Sequence, residues 1–103
     1  MSLNDLYDIL SSSSIKMYYD HAPNGTFLPF GTYTVDSANF SADNRTYSKG
    51  FTLRLVLYVG NKSPEIEAEI EEIFDSHDIP WDREEIYISE ERLYQEIYTA
   101  VIP

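Results

Sequence analysis

Cysteine is absent from the 103-residue chain, and its absence removes three kinds of chemistry. Without a thiol there is no disulfide framework, no thiolate metal site and no cysteine nucleophile. Basic residues are also few, since seven Lys and Arg stand against 18 Asp and Glu, giving a formal net charge of −11 and a pI near 4.3. This balance argues against sequence-specific or other binding to nucleic-acid phosphates and against docking on anionic lipid, because both depend on clustered positive charge.

Long apolar runs and glycine-rich loops are missing as well. The uninterrupted apolar stretches fall far short of the roughly 20 residues that a membrane-spanning helix requires, and the N-terminus has no basic segment followed by an apolar one. We therefore expect a soluble, unexported protein with no membrane partner. The four glycines are scattered singly at positions 25, 31, 50 and 60. This spacing is unlike a phosphate-binding loop, so we expect no nucleotide or other cofactor.

Apolar and aromatic residues are plentiful enough for a well-packed core. The chain is 43% apolar and 15% aromatic, with nine tyrosines. Such a composition favours a folded protein over a disordered one despite the charge. The length fits one domain over residues 1–103.

Apolar periodicity predicts two helices and five strands. A short helix at the N-terminus is indicated by Leu3, Leu6, Tyr7 and Leu10, and a second by Ser63-Pro64 followed by Ile66, Ile70, Ile73 and Phe74. Strands are predicted over residues 15–19, 27–35, 51–59, 84–89 and 93–102, the last two as a hairpin. Pro29 indicates an edge position or a bulge for the second strand. The prediction is an α+β domain of order α-β-β-β-α-β-β, with a mostly antiparallel sheet packed against the two helices.

Residues 36–50 are polar and show no hydrophobic period, so they are predicted to form a long loop. Loops of this length in compact domains are commonly functional. We therefore expect this segment to contact partner molecules. Its candidate contact residues are Phe40, Asp43, Arg45, Tyr47 and Lys49.

The negative charge lies entirely in the second part of the chain. Residues 1–62 contain five acids and five bases, whereas residues 63–103 contain 13 acids and only Arg83 and Arg92. The acids alternate with regularly spaced apolar residues, so we expect exposed faces of folded elements instead of an acidic tail. The predicted acidic face of the second helix comprises Glu65, Glu67, Glu69, Glu71 and Glu72.

Candidate catalytic and metal-binding groups are better explained structurally. Paired carboxylates could hydrolyse glycosides, but no acid lies in an apolar context that would raise its pKa for proton transfer. Asp75-Ser76-His77-Asp78 is the one plausible metal site, and it lacks the spaced ligands of a calcium loop and the second histidine of a zinc site. His21 follows Asp20, yet no nucleophile motif accompanies them. We therefore expect no catalytic and no metal site, and a protein that is not an enzyme.

Tyrosines of the final hairpin are candidates for an interface, because exposed tyrosines are enriched in protein–protein contacts. The three are Tyr87, Tyr94 and Tyr98. Core packing is the alternative for each of them.

Short segments across residues 15–98 carry a similarity through their order and spacing. In the first half they are Tyr19-Asp20-His21 with Pro23 and Gly25, Pro29-Phe30 with Tyr33, Ala42-Asp43, Tyr47 and Lys49. In the second half they are Leu57-Tyr58, the Glu-rich helix, Ile79 with Trp81, and residues 85–98 including Leu93-Tyr94-Gln95. Together they resemble a family of small tail-completion, tail-terminator or head–tail joining proteins encoded by tailed phages and prophages of Gram-positive bacteria.

The resemblance implies a non-enzymatic virion protein that is assembled in the bacterial host cytoplasm. Such a subunit forms a homo-oligomeric ring, for which a hexamer is one candidate order, at the tail-tube end nearest the head. Its partners are copies of itself, the tail-tube protein and the head–tail connector proteins. We further expect the acidic helix to face a lumen that conducts DNA, where like charges prevent adhesion.

An acidic binding module is the alternative class of function. In that case the excess of carboxylates mimics DNA and occupies a basic partner protein. Salt-sensitive binding to such a partner distinguishes this class from a ring subunit.

Overall fold

The computed structural model describes the backbone of residues 2–42 and 46–102, and side chains of these residues outside 37–50. The α+β order predicted from the sequence is confirmed. The elements are α1 (Leu3–Ser11), β1 (Lys16–Tyr19), β2 (Phe30–Ala42), β3 (Thr46–Val59), α2 (Pro64–Ser76), β4 (Trp81–Ile88) and β5 (Leu93–Ile102).

The five strands form one sheet in the order β1-β2-β3-β5-β4. The β1–β2 pair is parallel and the other three pairs are antiparallel, which confirms a mostly antiparallel sheet. Strand β3 is central, with β2 on one side and β5 on the other. The β4–β5 hairpin is also confirmed, although β4 begins at Trp81, three residues before the predicted start.

Both helices cover the same face of the sheet. Alternate residues of β3 point into this layer, and Leu53, Leu55 and Leu57 are fully buried there. They meet residues of α1, α2 and β5: Leu6, Leu10, Ile70, Phe74, Tyr98, Ala100 and Ile102. Burying a leucine side chain stabilises a fold by about 2 kcal/mol, so this layer is the principal core.

The two helices begin differently. At α1, the Ser2 hydroxyl accepts a hydrogen bond from the Asp5 backbone N–H, and the Asp5 carboxylate accepts one from the Ser2 N–H. These hydrogen bonds lower the pKa of Asp5. Ser63 precedes α2 as predicted, but its hydroxyl makes no capping hydrogen bond to the backbone. Pro64 at the first helical position and Glu65 and Glu67 in the first turn remain as start signals.

The second strand was predicted to have an edge position or a bulge at Pro29, and the described backbone shows neither. Strand β2 begins at Phe30 and lies between β1 and β3, so it is an interior strand. Pro29, which follows a cis peptide bond, stands just before this strand. Because it lies outside β2, it removes no hydrogen-bond donor from the ladder.

The predicted long loop over residues 36–50 is also wrong, because strands occupy most of it. Pairing of β2 with β3 continues from Phe30↔Tyr58 to Ala42↔Thr46, whereas β5 pairs with β3 only as far as Phe51↔Ile102. Within the described backbone, residues 38–42 and 46–50 thus pair only with each other, in five residue pairs. We call the paired residues 38–42 and 46–50 the arm. A two-stranded ribbon beyond the core need not bury an apolar face, so its sequence carries no alternation to reveal it.

Candidate functional site

A charged cluster lies where α2 crosses the β4–β5 hairpin. It contains four carboxylates and two cations, contributed by the β3–α2 turn and by three elements. Its members are Lys62, Glu67, Glu71, Arg83, Glu85 and Glu96.

Strand register and helix periodicity bring these groups together. Side chains alternate along β5, so Glu96 shares the helix-covered face with Tyr98 and Ala100. On β4, Glu85 lies directly opposite Glu96, and Arg83 lies opposite Tyr98. The α2 carboxylates stand on the core-facing side of their helix, since Glu67 is three residues before the buried Ile70.

Arg83 is the centre of one half of the cluster. Its Nη1 donates to Glu67 and, at 3.0 Å, to Glu71 Oε2. The same Glu71 oxygen accepts the hydroxyl of the fully buried Tyr98 at 2.8 Å. Burial, followed by this contact with Glu71, raises the pKa of Tyr98. The network fastens α2 to both strands of the hairpin.

Lys62 is the centre of the other half. Its Nζ pairs with Glu85 and lies 3.4 Å from Glu67 Oε2 and 3.6 Å from Glu96 Oε2. The hydrogen bond from Lys62 lowers the pKa of Glu85 and raises that of Lys62. One ammonium group therefore forms ion pairs with three carboxylates.

Glu96 has no solvent contact, with 0% of its side chain exposed. Neither of its carboxylate oxygens has a hydrogen-bond partner among the described residues. Burial, reinforced by the neighbouring carboxylates of Glu85 and Glu67, raises its pKa to about 7. The expectation that no acid lies in such a context is therefore wrong. The signal was present in the sequence, since Glu96 alternates with Tyr94, Tyr98 and Ala100.

The cluster also corrects the predicted acidic face of α2. Glu67 is buried and Glu71 is half-buried against Arg83, so neither belongs to a solvated surface. Glu69 is half-buried, and its Oε1 accepts hydrogen bonds from the Ser14 hydroxyl at 2.7 Å and from the Ser14 backbone N–H at 3.1 Å. Glu65 and Glu72 are exposed. The solvent-facing acids of the helix are thus fewer than its sequence indicates.

The tyrosines predicted as an interface divide in the same way. Tyr98 is fully buried, so its assignment to a surface is wrong. Tyr87 is 53% exposed, and its ring lies 4.8 Å from that of the half-buried Tyr94. Only the outer end of the hairpin therefore presents tyrosine to solvent.

Three of the five candidate contact residues of the predicted loop lie on the arm. Phe40, Tyr47 and Lys49 belong to its strands, in the pairs Phe40↔Ser48, Ser41↔Tyr47 and Asn39↔Lys49. Asp43 and Arg45 lie outside the described residues. The register therefore places Phe40, Tyr47 and Lys49 beyond the end of β5.

The two histidines have local partners. His77 Nδ1 lies 2.9 Å from the Ile73 carbonyl oxygen at the end of α2, and the neighbouring Asp75 accepts the Trp81 indole N–H at 2.9 Å. His21 Nδ1 lies 3.0 Å from Asp20 Oδ2, and both side chains are largely exposed. Both contacts belong to ends and turns of the fold.

Comparison with known proteins gives no matching family model and no similar curated protein. Among the described residues, no helix combines the length and hydropathy needed to cross a membrane.

Proposed function

We propose that this chain is a structural subunit of a phage or prophage virion, a tail-terminator or head–tail completion protein that forms a ring at the end of the tail tube. The observation that carries the proposal is the arm. The sequence resemblance supplies the class of assembly, and the geometry supplies a means of contact between subunits.

The arm projects beyond the three-stranded part of the sheet. Its five residue pairs extend a ribbon by about 17 Å at the usual rise of a strand. The molecule accordingly measures 49 × 25 × 23 Å. An isolated two-stranded ribbon is only marginally stable in water, and both of its edges offer hydrogen-bonding groups to another chain. Contact with a neighbouring subunit or with the tube would stabilise it.

The two edges of the sheet are less suited to pairing between subunits. Strand β1 has four residues, and β4 carries four consecutive charged residues from Asp82 to Glu85. Short strands and charged side chains at an edge oppose strand addition. The arm is therefore the favoured site for the repeated head-to-tail contact that closes a ring.

The acidic second half of the chain suits a wall facing DNA. Glu65 and Glu72 are the exposed glutamates of α2, and the whole net charge of −11 resides in residues 63–103. Like charge keeps a passing duplex from adhering. A lumen wall of this kind uses Glu65 and Glu72, because Glu67 and Glu71 are paired with Arg83 within the fold.

The geometry gives less support to a DNA mimic. Such a mimic needs carboxylates displayed at its surface, whereas Glu67 and Glu96 are buried and Glu71 is bound to Arg83 and Tyr98. The acids available to a basic partner are correspondingly fewer. The test described below also distinguishes binding to a basic partner protein from ring formation.

The test uses a shortened arm. Residues 38–50 are replaced by Asn-Gly, so that Ser37 and Phe51, which face each other in the sheet, flank a two-residue turn. Tubes of the tail-tube protein encoded in the same gene cluster are incubated with each variant and examined by electron microscopy. We expect the unaltered chain to form a ring on tube ends and arrest tube growth, and the shortened chain to do neither.

The matched control is Glu84→Gln, an exposed change on β4 that removes one charge and leaves the arm intact. It should cap tubes as the unaltered chain does. Capping by the shortened chain would contradict the role of the arm. Failure of the unaltered chain to bind tube ends, together with tight and salt-sensitive binding to a nucleoid protein, would replace the proposal with the DNA mimic.

A further inference from the structure

Three carboxylates of the charged cluster converge from three separate elements. Glu67 on α2, Glu85 on β4 and Glu96 on β5 each place one oxygen within 4.8 Å of the other two. Oxygen ligands of one Ca²⁺ lie about 2.4 Å from the ion, so neighbouring and opposite ligands are roughly 3.4 to 4.8 Å apart. The three oxygens already have the spacing of a shared coordination sphere.

The buried oxygens of this group lack hydrogen-bond partners. Both oxygens of Glu96 and Oε2 of Glu67 have none among the described residues, and Glu96 is fully buried. The Lys62 Nζ lies 3.6 Å from Glu96 Oε2, and the Arg83 Nε lies 4.0 Å from Glu96 Oε1, so both supply charge without a hydrogen bond. A buried carboxylate that lacks hydrogen bonds is costly, and a directly bound cation is one of the few ways to compensate it. The lack of hydrogen bonds is an observation separate from the number of acids, because it concerns particular oxygen atoms that point into the cluster.

The excess of negative charge in the cluster also favours binding of a further positive charge. Among the described side chains, the cations that face the four carboxylates are Lys62 and Arg83. Arg83 is held by Glu67 and Glu71, whereas the Lys62 Nζ stands between the three converging carboxylates. A divalent ion in that position would place two positive charges where the ammonium places one.

We propose that Glu67, Glu85 and Glu96 form a binding site for a divalent cation, which enters by displacing the ammonium group of Lys62. The ligand set is made of carboxylate oxygens without histidine or cysteine, which selects hard ions such as Ca²⁺, Mg²⁺ and Mn²⁺. The site is independent of the proposed role in virion assembly.

Entry and release are feasible because the outer part of the site is open. The side chain of Lys62 is 42% exposed and that of Glu85 is 38% exposed, whereas Glu96 forms the floor. Lys62 lies in the turn between β3 and α2, and its long side chain can move into solvent while water completes the coordination of the ion. The bound ion would join α2 to both strands of the hairpin.

The test is titration of the intact chain with Tb³⁺, an ion that binds oxygen ligands. Its luminescence is excited through nearby tyrosines. Bound Tb³⁺ is then displaced with Ca²⁺, Mg²⁺ and Mn²⁺. Tyr94 and Tyr98 are the local donors, since the Lys62 Nζ lies 5.7 Å from the Tyr94 ring and Tyr98 bonds to Glu71. Glu96→Gln and Glu85→Gln should each weaken binding at least tenfold. Lys62→Met should strengthen it severalfold, because it removes the competing ammonium.

Glu72→Gln is the matched control, since it removes an exposed carboxylate from the same helix. It should leave the affinity within twofold of the unaltered chain. Near-ultraviolet circular dichroism shows whether each variant is folded. If Glu96→Gln does not fold, Glu85→Gln tests the site at a partly exposed position. Absence of binding to both the unaltered chain and Lys62→Met at millimolar ion would overturn the proposal, as would equal binding by Glu85→Gln.

Discussion

Glu96 has a different neighbour on each side within the sheet. Leu57 on β3 and Glu85 on β4 lie directly opposite it. Burial imposes a desolvation cost on the ionised form, and the like charge that faces it across the strands adds to that cost. The raised pKa of Glu96, about 7, is the consequence. A single buried side chain thus makes the stability of the domain sensitive to pH near neutrality.

Glu96→Gln should flatten the dependence of stability on pH between about 5 and 7. Because the pKa of Glu96 rises from 4.5 to about 7 on folding, the folded protein holds a proton in this window that the unfolded chain has lost. Stability therefore falls as pH rises, by up to about 3 kcal/mol, and then levels off above pH 7. Urea denaturation at a series of pH values, in buffer containing a chelator, measures the slope.

Glu84→Gln serves as the control for this pH dependence. It removes a neighbouring but exposed carboxylate, so the general effect of negative charge is matched. This variant should keep the slope of the unaltered chain. An equal slope in Glu96→Gln would contradict the assignment.

Arg83→Met should destabilise the domain by about 1–3 kcal/mol, because buried Glu67 and half-buried Glu71 lose their shared cation. Thermal unfolding with the folded fraction followed by circular dichroism provides the measurement. Arg54→Met removes an exposed guanidinium from the opposite face of the sheet and should cost less than about 0.5 kcal/mol. Equal losses in both variants would show that Arg83 has no special structural role.

At the scale of elements, the chain separates into a packed body and the arm. The body contains the two helices and the sheet up to Phe51↔Ile102, and its core residues are fully buried. The arm adds backbone pairing between two strands without a third strand beside them in the described backbone. We therefore expect the body to be stable without the arm.

Shortening the arm to Asn-Gly between Ser37 and Phe51 should leave the body folded. We expect the midpoint of thermal unfolding to change by less than about 4 °C, because a ribbon outside the core contributes under about 1 kcal/mol. Differential scanning calorimetry measures the midpoint. A loss of the cooperative transition would show that the arm belongs to the folding unit.

The elements differ in how readily the sequence reveals them. Helix α2 was predictable because Ile66, Ile70 and Phe74 repeat at helical spacing, and β3 because Leu53, Leu55 and Leu57 alternate. These patterns exist only where one face is buried, so the arm escaped prediction. The burial of Glu96 could be inferred from its alternation with Tyr98 and Ala100. Its position opposite Glu85 could not, because that depends on the register of the β4–β5 hairpin.

At the scale of the whole molecule, net charge and shape have opposite effects on the association of identical chains. The net charge of −11 opposes association of identical chains, whereas the arm offers a surface for it. Part of the charge is neutralised locally, since Lys62 and Arg83 are surrounded by carboxylates. The remaining exposed acids set the conditions under which copies of the chain can approach one another.

Salt should promote assembly of the ring. Screening at 0.5 M salt reduces the Debye length to about 4 Å, from about 14 Å at 0.05 M, and so weakens the repulsion between chains. Sedimentation velocity should show a larger oligomer fraction at high salt for the unaltered chain and little change for the shortened one. A complex between a DNA mimic and a basic partner would respond in the opposite way.

An electron cryo-microscopy reconstruction of the chain bound to the end of a tail tube tests the proposed ring most directly. We expect a closed ring in which the arm of each subunit contacts a neighbour or the tube, with Glu65 and Glu72 on the wall of the lumen. A ring whose arms extend into solvent without contacts, or tube ends that carry no ring, would contradict it.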